Sequence, residues 1–108
     1  MLDSDTEMIV TAWNNGGAGY GVRISMSDRS RYFQRQWKSV FVRIGDQSHA
    51  VEINIDKKSF WRAVCGELIS KEIGLWFRQH NLAPWPKGNP PKLKLSHEHD
   101  NHFHLNKR

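Results

Sequence analysis

Two runs of strict alternation constrain this chain more than anything else in it. Val40, Val42 and Ile44 alternate with Phe41 and Arg43, and further on Val51, Ile53 and Ile55 alternate with Glu52 and Asn54. A period of two sends one face of an extended segment into a core and the other into water, which no helix does with this spacing. Gly45, Asp46 and Ser48 supply turn residues between the runs. Residues 40–44 and 50–55 are therefore expected to be two adjacent strands near the middle of the chain.

The flanking segments extend this reading. Residues 8–13 form a short strand candidate, residues 14–21 a glycine-rich turn, and residues 20–24 a second extended run, so a hairpin is expected at the start. The glycines at 16, 17, 19 and 21 do not match a dinucleotide fingerprint and lead into an extended segment rather than a helix N-terminus. Ser27 or Asp28 can cap a short helix over residues 29–36, with Tyr32, Phe33 and Trp37 turned inward. After Asp56 and Ser59, apolar residues recur at three- and four-residue intervals at Phe60, Trp61, Val64, Leu68, Ile69, Ile73, Trp76 and Phe77. That pattern predicts one main helix, weakened or kinked near Gly66 and ending near His80. Asn81 suits a left-handed cap, Leu82 can fold back over the last turn, and Pro84 prevents continuation. All four prolines fall between residues 84 and 91, giving a stiff connector. Leu93, Leu95, Phe103 and Leu105 mark a closing hairpin around Asp100 and Asn101.

The resulting order is strand, strand, short helix, strand, strand, long helix, strand, strand. It predicts an α+β domain whose mainly antiparallel sheet of about six short strands curls into a partly closed barrel. With 108 residues and 38% hydrophobic content, the whole of residues 1–108 reads as a single domain. Residues 1–7 are expected to be a disordered acidic tail and residues 84–92 a connector to the C-terminal hairpin. The lone Cys65 can form no internal disulfide and no secretory signal is evident, which suggests a reducing, cytoplasmic setting. No apolar run approaches the ~20 residues of a membrane-spanning helix, so no membrane association is expected.

Charge is distributed unevenly. All sixteen Lys and Arg residues follow Val22, while Asp3, Asp5 and Glu7 precede it. Within residues 27–43, Arg29, Arg31, Arg35, Lys38 and Arg43 are interleaved with Tyr32, Phe33 and Trp37, opposed only by Asp28. Cations alternating with flat rings suit a polyanion that carries stackable bases. They equally suit a short helix that buries its rings and leaves its arginines in water. Lys57, Lys58, Arg62, Lys87, Lys92 and Lys94 could extend a phosphate-contacting face, and Trp85 or Tyr32 could stack on a base. The competing reading of Trp85 is a lid over the core.

Catalytic and metal signatures are weaker. His97, His99, His102 and His104 are interleaved with Glu98 and Asp100. A two-residue turn at Asp100 and Asn101 would pair His99 with His102 and His97 with His104, putting four imidazoles on one face where a zinc ion could bind. A three-residue loop with Asn101 left-handed would instead align Leu93, Leu95, Phe103 and Leu105 on one core face. Burying that face is worth several kcal/mol, so the second register and no metal site are expected. These histidines could also add positive charge below about pH 6.5. Cys65 is expected to be a small buried hydrophobe in a helix, no cofactor is indicated, and no catalytic residue can be assigned. A small basic ribonuclease would be betrayed by a histidine and a second histidine or carboxylate meeting in a basic cleft.

Two functions fit these features. The first is a non-catalytic nucleic-acid-binding module for DNA or RNA, using phosphate contacts and aromatic stacking. The alternative is a small adaptor or inhibitor that docks on an acidic surface of a protein partner, itself conceivably a nucleic-acid enzyme, with Trp85 of the proline-rich loop as its anchor. Interleaving of cations and rings in two separate segments favours the first.

Overall fold

The structure is a computed structural model and describes residues 6–14, 19–62 and 64–108. Seven strands form one sheet in the order β4-β3-β7-β6-β1-β2-β5. They are β1 (Glu7–Asn14), β2 (Tyr20–Ile24), β3 (Ser39–Ile44), β4 (Ala50–Asn54), β5 (Gly66–Ile69), β6 (Lys92–His99) and β7 (His102–Lys107). Every neighbouring pair is antiparallel except β3 and β7, which run parallel. The outer strands β4 and β5 approach each other without a hydrogen-bonded ladder, so the sheet is a nearly closed barrel and the fold is α+β.

Alternation sets the barrel interior. Val40, Val42 and Ile44 of β3, Val10 of β1, Val22 and Ile24 of β2, Leu93 and Leu95 of β6, and Phe103 and Leu105 of β7 are all buried. Two plugs close the barrel. At the start of β3, Phe33 stacks on Phe103 with ring centroids 4.7 Å apart and lies 5.6 Å from Phe60. At its far end, α3 (Lys71–Gln79) buries Ile73, Trp76 and Phe77. Gly45 has φ 58° there, and a Cβ on it would stand 2.5 Å from the Trp76 indole nitrogen. Both the left-handed turn and the close approach require glycine.

The principal departure from the sequence pattern lies between residues 58 and 79. One long helix is replaced by α2 (Lys58–Arg62), strand β5 and α3. Spacings of three and four residues coincide with a short period-two segment in which Gly66 and Leu68 point inward and Ile69 outward. Pairing of Gly21 with Ile69 and Ile24 with Gly66 satisfies the backbone of this segment. Gly66 suits the strand for a second reason, since any Cβ would meet the Phe60 ring at 2.8 Å. The Ser70 hydroxyl accepts from the Glu72 N–H and restarts the helix. Cys65 accordingly lies half-buried between α2 and β5 and not inside a helix.

Smaller corrections follow the same logic. The first helix, α1, spans Met26–Tyr32 and is capped by Ser25, because β2 ends at Ile24 and leaves that one residue to receive the Asp28 N–H. Neither Ser27 nor Asp28 is the cap, and the helix ends at Tyr32, with Phe33 as its extended C-cap, and does not reach Gln36. The C-terminal end of α3 forms as expected, with Asn81 at φ 58° and the Leu82 N–H donating to the Phe77 carbonyl at 2.7 Å. The expected acidic tail and first turn fall partly on residues 1–5 and 15–18, outside the described residues, while Glu7 is the first residue of β1.

Candidate nucleic-acid interface

The closing hairpin shows how the basic face is partitioned. A two-residue turn pairs His99 with His102, but a bulge at Glu98 then pairs His97 with Phe103 and Leu95 with Leu105. The apolar face is thus aligned as expected, by a bulge and not by a three-residue loop, with Asp100 in place of Asn101 left-handed at φ 47°. The bulge separates the histidines: His97 turns toward Tyr32 and Phe103, while His99 and His102 stack outside at 4.8 Å. Among the described residues no group of three or more His, Cys, Asp or Glu side chains is placed to hold a metal ion. Also among them, no helix is long and apolar enough to cross a membrane.

On the outer sheet face the cations are paired. Arg43 donates to Glu98 at 2.7 Å, Lys94 lies 3.7 Å from Glu7, and Arg23 lies 3.4 Å from Glu67. Lys92 donates to the Thr11 hydroxyl at 3.1 Å. The His104 Nε2 lies 2.8 Å from the Gly45 carbonyl, which can only accept, so that nitrogen carries its proton and the nearby Arg43 guanidinium cannot donate to it. Glu98 is therefore the Arg43 partner. Arg43, Lys92 and Lys94 belong to this mixed-charge face.

Around α1 and α2 the arrangement is different. Arg29 is only 6% exposed and donates to the Phe60 carbonyl at 2.6 Å, tying α1 to α2. Its guanidinium lies 5.9 Å from the centre of the Trp61 ring, and that of Arg35 lies 5.5 Å from it. Trp61 is fixed in turn by donating its indole N–H to the Ile55 carbonyl at 2.9 Å. Arg35, Lys57, Lys58 and Trp61 line a pocket of about 190 Å³ with Asp56 as its one carboxylate. Lys38 adjoins it, its carbonyl accepting from the Asp56 N–H, and Arg62 ends the same short helix. Trp61 is the residue that sequence reasoning missed, because its spacing assigned it to the apolar stripe of a long helix. The signal available was its position one turn beyond Lys57 and Lys58.

The segment 31–37 separates this pocket from a second one of about 460 Å³ lined by Arg31, Tyr32, Gln34, Trp37, His97 and Asp100. His97 Nε2 donates to the Asp100 carbonyl at 2.7 Å. A histidine, a carboxylate and an arginine thus share a cleft, but one imidazole nitrogen is committed to the turn. Trp85 stands elsewhere, edge-on to Tyr20 at 5.7 Å and to Phe77 at 6.2 Å, as a partial lid on the core. With Lys87, Trp13 and Arg23 it borders a shallow pocket of about 400 Å³. The structure brings only some of the expected cations together: Arg35, Lys57 and Lys58 share one pocket with Trp61, on whose ring buried Arg29 also lies, and Arg31 lines the second pocket. Arg43, Lys92 and Lys94 lie on the sheet face, and Trp85 and Lys87 on the proline-rich loop.

No protein-family model, curated protein or solved structure matches this chain.

Proposed function

We propose that the chain is a small, non-catalytic nucleic-acid-binding module that grips the phosphate backbone at the α1–α2 rim. The observation that carries this reading is the pocket in which Arg35 is laid over the Trp61 ring beside Lys57 and Lys58. Three cations against one carboxylate make it attractive to an anion. Its volume of about 190 Å³ is below the roughly 300 Å³ at which small-molecule pockets begin, which suits a phosphate group better than a base. Arg35 held over an indole keeps a guanidinium oriented for a bidentate phosphate contact. The same cations could meet an acidic protein surface, but the anchor of that alternative, Trp85, is packed edge-on against Tyr20 and Phe77. A chain with one cysteine needs no disulfide, which suits a reducing, cytoplasmic setting.

Binding of labelled single- and double-stranded DNA and RNA across a salt series tests the proposal. Wild-type affinity is expected to fall log-linearly with salt. A Lys57→Ala, Lys58→Ala double variant should show a slope shallower by about 1.4 on a single strand. RNA recovered intact after incubation would support the non-catalytic reading. No binding at low salt, or identical slopes for the two proteins, would remove the phosphate site.

A further inference from the structure

The second pocket has a size that the first lacks. At about 460 Å³ it falls within the range of pockets that enclose a small molecule, and it lies across residues 31–37 from the phosphate-sized pocket. Its rings are held in place. Trp37 meets Phe33 and Phe103 edge-on at 6.4 and 6.3 Å, and Tyr32 lies between the Arg31 guanidinium at 5.3 Å and the His97 ring at 6.0 Å. Its polar rim is pinned as well. Asp100 sits at the left-handed position of the β6–β7 turn, its carbonyl receiving the His97 N–H, and the next residue, Asn101, donates its side-chain amide to the Ser39 carbonyl at 3.0 Å.

We propose that this pocket is a subsite for a guanine base of a single strand whose phosphate lies on Arg35, Lys57 and Lys58; the proposal rests on the nucleic-acid reading above. Asp100 contributes a carboxylate, which when ionised only accepts hydrogen bonds. Guanine alone among the common bases offers two neighbouring donors, N1–H and N2–H, on its Watson–Crick edge, a bidentate match to a carboxylate. Adenine and cytosine place a ring-nitrogen acceptor beside their amine, and uracil and thymine flank one donor with two carbonyls, so each sets an acceptor against Asp100. Gln34 completes the complement. Its carbonyl oxygen receives the Gln36 amide at 2.6 Å, leaving its NH₂ group for an acceptor such as guanine O6. Trp37 supplies a face on which an unstacked base can rest, the usual way in which single strands are read, while Tyr32, held by Arg31 and His97, forms a wall of the pocket.

The test uses the full chain with the eight-nucleotide single strand dT8 and with derivatives carrying one central dG, inosine or dA. One dG is expected to tighten binding about tenfold over dT8, in the range of a good bidentate base contact. Inosine, lacking the 2-amino group, should lose most of that advantage, and dA should show none. Asp100→Asn keeps a residue type that tolerates the left-handed turn and replaces the carboxylate by an amide. It should abolish the ratio between dG and dT8, with the thermal midpoint confirming a folded protein. Arg35→Ala should weaken every strand and retain the ratio. A dG strand that binds no better than dT8 or dA, or an Asp100→Asn protein that keeps its dG preference, would overturn the subsite while leaving salt-dependent binding intact. Failure of every strand to bind at low salt would overturn the phosphate reading and the subsite together.

Discussion

The outer sheet face and the α1–α2 rim use the same residue types to opposite ends. On the sheet, Arg43, Lys94 and Arg23 each face a carboxylate across a strand, and their fields largely cancel within a few ångströms. At the rim, Arg35, Lys57 and Lys58 converge with only Asp56 against them, over a guanidinium–indole assembly built on buried Arg29. Positive charge is thus a solvated, neutralised surface in one region and a directed one in the other. A count of basic residues cannot distinguish them; the position of the carboxylates does.

Substitutions in each region would break or sharpen this contrast. Arg29→Ala should have the largest effect on stability, because it leaves the buried Phe60 carbonyl without its charged donor. A loss of about 1.5–3 kcal/mol is expected in denaturant titrations, together with a change in tryptophan fluorescence as Trp61 loses one flanking cation. Arg35→Ala should weaken nucleic-acid binding about tenfold at low salt, whereas Arg43→Ala should change it by less than about twofold. Equal losses in a fluorescence-anisotropy titration would erase the distinction between the two regions.

Ser70→Ala is a control remote from both, expected to cost about 1 kcal/mol through loss of the α3 cap. Its pH dependence has a defined sign. The Ser70 hydroxyl, and then the backbone N–H of Glu72 itself, hold the Glu72 carboxyl below the ordinary carboxylate range. A group whose folded pKa is lowered stabilises the fold above its unfolded pKa and loses that contribution as pH falls through the folded value. The gap between variant and wild type, read from thermal midpoints, should therefore be widest at neutral pH and narrow in acid. The smallest effect belongs to the sheet face. A double-mutant cycle on Arg43 and Glu98 should return a coupling of no more than about 1 kcal/mol, diminished by salt, as for a half-exposed pair.

Much of the fold was legible because it is local. The alternation in β3 and β4, the Asn81 cap and the single apolar face of the last hairpin all follow from period and turn chemistry over fewer than ten residues. The helix read across residues 60–80 failed because four residues of strand are too few to announce their period against a helical background. The candidate site was half legible: Arg35, Lys57 and Lys58 were identified as cations, but Trp61 was read as core and Arg43, Lys92 and Lys94 as part of the same face.

The sequence alone determined which residues are apolar, how they alternate and where the backbone can turn, and hence an α+β domain with a mainly antiparallel, partly closed sheet. Tertiary structure decided what is set by distant partners. Gly21 meeting Ile69 makes β5 a strand, and the Glu98 bulge sends His97 inward and leaves His104 outside. Glu98, 55 residues from Arg43, takes that arginine out of contention as a free cation, while Phe60, 31 residues from Arg29, draws that one into the core. Pairing, Coulomb attraction and burial act through space, and neighbours in space are chosen by the fold.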